Sequence, residues 1–198
     1  MDTQAGLRER KKAATRQALH EAAVRLAMAH GFERLTVEAI ADAAMVSRRT
    51  FSNYFCSKEE ALLYGERLRM RRLVELVRER PADEPIWVAL SHAAEQLTIE
   101  EGEPDPRWLA QWRKLREHPP FVAHRLAVYA AVERDLAAEI TMRLSDIPQA
   151  ALRARVLAAT YLTMLRVATQ QWMDQPDRPL VDVIRETLAY AEPRAAST

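Results

Sequence analysis

At 198 residues, with 48% hydrophobic and 29% charged residues, the chain can bury a core and has the composition of a folded protein rather than a disordered one. No apolar run approaches the roughly 18 residues of a spanning helix, and the lone Cys56 excludes internal disulfides and multi-cysteine zinc sites. The net charge of +1 conceals a basic end, where Arg8, Arg10, Lys11, Lys12 and Arg16 face only Asp2 and Glu9.

The polar stretch from Met1 to Lys12 lacks the apolar segment of a signal peptide, so the expected compartment is the cytoplasm. Only four glycines stand among many Ala, Leu, Arg and Glu residues, which favours helices over strands. The first periodic segment, Leu7 to His30, repeats Thr15, Leu19, Ala22, Ala23, Leu26 and Ala27 at helical spacing. Gly31 closes it, and Phe32 is placed to fold back on the last turn.

Thr36 is positioned to cap a short helix that carries Val37, Ile40 and Ala41 and stops near Ala44. Ser47 caps the next, Arg48 to about Tyr54, with Phe51 and Phe55 on its inner side. Ser57 and Glu60 have capping-box spacing for a third helix running to about Arg80. Beyond it, prolines punctuate candidate helices at Pro85–Glu100, Pro106–Glu117, Pro119–Ser145, Pro148–Asp174 and Pro179–Ala191.

Thr36 to Leu62 therefore reads as two short helices joined by a turn at Met45–Val46, then a third helix. A helix-turn-helix needs an apolar brace on one side of its second helix and short polar or basic side chains on the other. Ile40, Ala41, Ala44, Val46, Phe51 and Phe55 supply the brace. Arg48, Arg49, Ser52 and Asn53 are left to face a groove.

This stretch, from about Arg10 to Leu62, resembles the DNA-binding domain of the TetR family. The matches are Gly31–Phe32, Thr36–Val37, Ile40–Ala41, Ala44, Val46–Ser47, Thr50–Phe51, Tyr54–Phe55 and Ser57–Lys58–Glu59. The resemblance implies that Arg48, Arg49 and Ser52 meet base edges, and that Thr36, Thr50, Asn53, Tyr54 and Lys58 hold backbone phosphates. It makes Arg10, Lys11 and Lys12 a basic arm leading into the first helix. Arginine suits the first role because it bonds guanine O6 and N7 together. Two positions depart from the family pattern: Met45 stands where glycine is usual, and Ser52 replaces a bulkier aromatic.

An enzyme is not expected. His20–Glu21 begins like a zincin motif, but Val24 stands where the second histidine belongs. His92, His118 and His124 lack metal-ligand spacing, and four scattered glycines form no phosphate loop. Neither a cofactor nor a metal is implied. The arginines at 67, 69, 71 and 72 alternate around a helix and read as solvated surface.

The segment from Pro148 to Asp174 carries apolar stripes on two sides, and a helix so built must bury both. One side is expected to face its own domain and the other a twin subunit. In the resembling family the last two long helices form a dimeric four-helix bundle, which implies a dimer surface of Leu157, Ala168, Trp172, Val183, Ile184 and Leu188. Trp87, Trp108, Trp112, Phe121, Tyr129, Thr160, Tyr161 and Met164 are read either as plain core or as an apolar pocket with few polar anchors.

The expected protein is all-α, of about nine helices, with a DNA-binding domain at 1–58 and a ligand-binding and dimerisation domain at 59–198. Its expected role is a homodimeric repressor of a palindromic double-stranded operator, released by a small apolar effector, with no membrane partner. An activator, a ligand-independent regulator of the same fold and a helical protein-interaction module remain as alternatives.

Overall fold

The computed structural model describes residues 2–102, 109, 112, 113, 115, 118–144 and 148–191. Helix α1 spans Asp2–His30, α2 Val37–Ala43, α3 Arg48–Ser52, α4 Lys58–Glu79 and α5 Ile86–Glu101; α6 spans Pro119–Arg143, α7 Ala150–Asp174 and α8 Leu180–Ala189. A 3-10 turn at Phe32–Arg34 follows α1, and among the described residues there is no strand. The all-helical class expected from composition and periodicity is the class observed. Most of the candidate Pro106–Glu117 helix, including Trp108, lies outside the described residues.

The chain packs as two units. The first comprises Met1–Arg67 and Pro106–Arg125; the second comprises Leu68–Asp105 and Leu126–Thr198. The first unit is thus larger than residues 1–58, because it takes in the opening turns of α4 and a later segment.

Within the first unit, α1 packs on α2 and on the 3-10 turn, and α2 packs on α3. Leu19, Ala22, Ala23 and Ala27 of α1 are buried, as are Ile40, Ala41, Phe51, Phe55, Leu62 and Leu63 of the same unit. Each element has a local reason to start where it does. The Thr36 hydroxyl accepts from the Ala39 N–H at 3.1 Å, and the Ser47 hydroxyl accepts from the Thr50 N–H at 3.0 Å. At α4 the Ser57 hydroxyl accepts from the Glu60 N–H at 3.2 Å. The Glu60 carboxylate reaches back to the Cys56 N–H at 2.7 Å, one residue before the usual capping-box partner.

In the second unit α8 packs on α7 and α5. Trp87, Leu90, Tyr161, Leu180, Val183, Ile184 and Leu188 form its core. Both large polar-tipped aromatics there are satisfied internally. Tyr161 donates to the Leu90 carbonyl at 2.8 Å, and the Trp87 indole donates to the Leu188 carbonyl at 3.2 Å. The Arg143 guanidinium closes the end of α4 by donating to the carbonyls of Val77, Arg80 and Pro81 at 2.6–2.9 Å.

Candidate nucleic-acid interface

The turn between α2 and α3 is a Schellman closure. Val46 N–H donates to the Ala41 carbonyl at 2.9 Å and Met45 N–H donates to the Asp42 carbonyl at 3.0 Å, which requires Met45 at φ 55. A left-handed backbone at a methionine costs about 1 kcal/mol. The residue is 93% exposed, so its side chain has little packing to offset this. Such a turn places α3 across α2 with one side buried: Phe51 and Phe55 are nearly inaccessible, with ring centroids 5.8 Å apart.

With that side anchored, Arg48, Arg49, Ser52 and Asn53 are all exposed. Arg49 makes no ion pair among the described residues, whereas Arg48 Nη1 lies 2.9 Å from Glu38 Oε1 on α2. Both partners are more than half exposed, so the pair is worth between zero and about 1 kcal/mol and yields to a stronger acceptor. The sequence contained Glu38 but gave no sign of this contact.

The residues expected at phosphates have mixed surroundings. Thr36 and Asn53 are exposed, Tyr54 and Thr50 half-buried, and the Thr50 hydroxyl is 2.9 Å from that of Ser47. Lys58 is more heavily committed. Its ammonium donates to the carbonyls of Leu35 at 2.9 Å and Phe32 at 3.2 Å and stands 4.2 Å from the centre of the Phe32 ring. One of its three N–H donors is left after those bonds. Lys58 is first a tie between the start of α4 and the 3-10 turn. Arg10, Lys11 and Lys12 are exposed, and they lie inside α1 rather than on an arm ahead of it.

Sequence reasoning missed the histidines that hold this unit. His20 Nδ1 is 2.8 Å from the Ala61 carbonyl, joining α1 to α4. Burial lowers its pKa below the ordinary 6.5. His118 Nε2 lies 2.6 Å from Glu33 and its ring packs edge-on to Phe32, while His124 Nε2 lies 3.3 Å from the Ser57 hydroxyl. His20 thus links α1 to α4, His118 reaches the 3-10 turn, and His124 of α6 meets the Ser57 cap of α4.

The aromatic residues read as core or pocket divide between the units. Phe121 is buried and Trp112 half-buried in the first, their centroids 5.1 Å apart. In the second, Trp87 and Tyr161 are buried with their polar ends bonded, Tyr129 and Met164 are half-buried, and Thr160 is exposed.

Of the expected dimer surface, Ala168, Trp172, Val183, Ile184 and Leu188 are covered by their own chain and Leu157 is half-buried. Leu157, Ala168 and Trp172 stand on α7 and Val183, Ile184 and Leu188 on α8, two helices that pack on each other. The opposite side of α7 exposes Leu152, Val156 and Val167, each 48–58% accessible, with Thr163 between them.

The arginines at 69 and 72 are paired with carboxylates: Arg69 with Glu101 at 2.8 Å, and Arg72 with Glu79 and Glu100 at 3.0–3.1 Å. Among the described residues, no helix is long and apolar enough to cross a membrane.

Comparison with known proteins agrees with this geometry. The family described as "Bacterial regulatory proteins, tetR family" matches residues 19–64, and "MftR C-terminal domain" matches residues 84–196. The chain is 31% identical over 181 residues to the HTH-type transcriptional regulator TcmR of Streptomyces glaucescens, covering 88% of this chain and 80% of that protein. It is also similar to FadR of Thermus thermophilus, a TetR-family repressor solved with lauroyl-CoA, at 26% identity and TM-score 0.52, covering 92% of this chain and 98% of that one. A TetR-family regulator from Syntrophomonas wolfei shares the fold at TM-score 0.63 and 12% identity, over 90% and 93% of the two chains. With both matched segments in order and a relative above 30% identity, the chain belongs to the TetR family of transcription regulators and is not an enzyme.

Proposed function

We propose that this chain is a homodimeric repressor that reads a palindromic operator and is released by a small molecule with a large apolar part. The observation that carries the reading is the two-sidedness of α3. Phe51 and Phe55 are buried while Arg48, Arg49, Ser52 and Asn53 stand exposed together. In this reading Arg48, Arg49 and Ser52 contact bases, and Thr36, Thr50, Asn53, Tyr54, Arg10, Lys11 and Lys12 hold phosphates, with Lys58 adding its remaining donor.

Two copies are required because a five-residue helix reads only a few base pairs, and half-sites fall about 34–36 Å apart on one face of the duplex. The exposed stripe Leu152–Val156–Thr163–Val167 on α7 supports a self-complementary surface at that helix. The effector class is supported by the aromatic and methionine content of the second unit and by the lauroyl-CoA bound to the Thermus thermophilus relative. Domain limits near 58/59 are kept as a functional division, with α4 running through the boundary.

Sequencing the genomic fragments retained by the purified chain tests the reading. A two-fold motif with centres about one or two helical turns apart is expected, with loss of those fragments when lauroyl-CoA or another long-chain acyl thioester is added. Fragments sharing no motif contradict operator recognition; a motif that acyl thioesters never release contradicts the effector class.

A further inference from the structure

Among the described residues, Arg16 is a cation with no anion. Its guanidinium lies over three aromatic rings at once, 5.7 Å from the centre of Tyr54, 5.8 Å from Tyr64 and 5.9 Å from Phe55. Nε is fully covered and has no hydrogen-bond partner, and Arg16 makes no hydrogen bond or ion pair among the described residues. Arg16 as a whole is half-buried, and of its guanidinium nitrogens only Nε is both fully covered and unpartnered among the described residues. A guanidinium cannot shed its proton, so this position keeps its charge at any relevant pH.

The neighbouring charges make the deficit larger. Arg67 lies 5.9 Å from the centre of the same Tyr64 ring, and the carboxylate nearest to it, Glu60, is already shared between Arg67 and the Cys56 N–H. Glu21, one turn and a residue along α1, accepts from Gln17. Along α1 the cations Arg8, Lys12 and Arg16 recur every four residues, about 6 Å of helix rise apart, and form a basic stripe that ends at the aromatic cage.

We propose that Arg16 is a DNA-phosphate ligand: Tyr54, Phe55 and Tyr64 hold its guanidinium flat so that the N–H edge clamps a backbone phosphate beside the recognition helix. The rings restrict the side chain before binding, so less rotamer freedom is lost than for an extended surface arginine. Planarity is what both the stacking and a bidentate phosphate contact require. This inference rests on the DNA-binding reading above and adds a contact supplied by α1.

The test is a salt titration of binding to a mixed-sequence duplex of about 30 base pairs, which reports phosphate contacts whatever the operator. Removing one phosphate ligand lowers the slope of log affinity against log salt by about 0.9 per chain. Arg16→Met is expected to show that drop and about tenfold weaker binding, while Arg16→Lys keeps the slope. Arg16→Met with an unchanged melting temperature and an unchanged slope overturns the proposal.

Should Arg16→Met not fold, the wild-type chain supplies the answer through modification by phenylglyoxal, a dicarbonyl that attacks guanidinium groups. Protection of Arg16 by the duplex is expected; equal reaction with and without DNA overturns the assignment. If the wild-type chain binds no duplex at low salt, the DNA-binding reading itself has failed. If it binds and Arg16→Met matches it, only the role of Arg16 has failed.

Discussion

His20 sits in a notch that Gly65 leaves open. A Cβ at position 65 would stand 2.7 Å from His20 Nε2, while His20 Nδ1 is 2.8 Å from the Ala61 carbonyl one turn earlier. Glycine inside a helix ordinarily costs about 1 kcal/mol relative to alanine, so its use at this point in α4 has to be repaid by packing. Gly65→Ala is expected to destabilise the chain by about 1 kcal/mol, as overpacking exceeds the helix gain. In a His20→Ala background the same change should become neutral or stabilising. A denaturant melt of the double-mutant cycle reads this; additive effects would show that ring and glycine do not interact.

The same imidazole makes stability depend on pH. Burial lowers the folded-state pKa of His20 below the 6.5 of the unfolded chain, so between those values the unfolded state binds more protons. The contribution is complete above pH 6.5 and is lost as the pH falls through the folded-state pKa. Thermal melts of wild type and His20→Gln should diverge above pH 6.5 and converge in acid. Curves that run parallel from pH 5 to 8 would remove His20 as the cause.

Met45 carries backbone strain that its side chain does little to relieve. Met45→Gly should raise stability by up to about 1 kcal/mol, a few degrees in melting temperature, because φ 55 suits glycine and the methionine is almost fully exposed. DNA affinity should not fall. A lower melting temperature would mean that the side chain has a partner in the folded protein.

If Arg48 contacts DNA as proposed, Glu38 competes with it for the guanidinium. Neutralising it in Glu38→Gln should tighten binding to a duplex by up to about fivefold, the equivalent of about 1 kcal/mol, since an exposed ion pair no longer has to open. Fluorescence-anisotropy titration measures this. Weaker binding would instead make Glu38 an orienting group for Arg48.

Local chemistry was readable from the chain, because a cap or a turn is decided within a few residues. Thr36, Ser47 and Ser57 cap the helices they precede, and Gly31 follows α1 at φ 80. The Phe51–Phe55 spacing marked which side of α3 is buried. Contacts across long sequence separations were not readable. Neither the Lys58 ammonium on the Phe32 and Leu35 carbonyls nor the His118–Glu33 pair has a signature in spacing. The exposed side of α7 was ambiguous for a different reason: both sides are apolar, so periodicity alone does not say which one α8 covers.

The central claim, that exposed side chains of α3 read bases, is tested most directly at Arg49, the one of the two α3 arginines without a carboxylate partner among the described residues. Affinity of Arg49→Ala should be measured for a recovered operator fragment and for a mixed-sequence duplex at the same salt. The ratio of the two is expected to fall from fivefold to over a hundredfold, roughly 1–3 kcal/mol of lost base discrimination, with little change on mixed sequence. Equal loss on both duplexes would make Arg49 a phosphate contact, and no loss on either would contradict the placement of α3 in the groove.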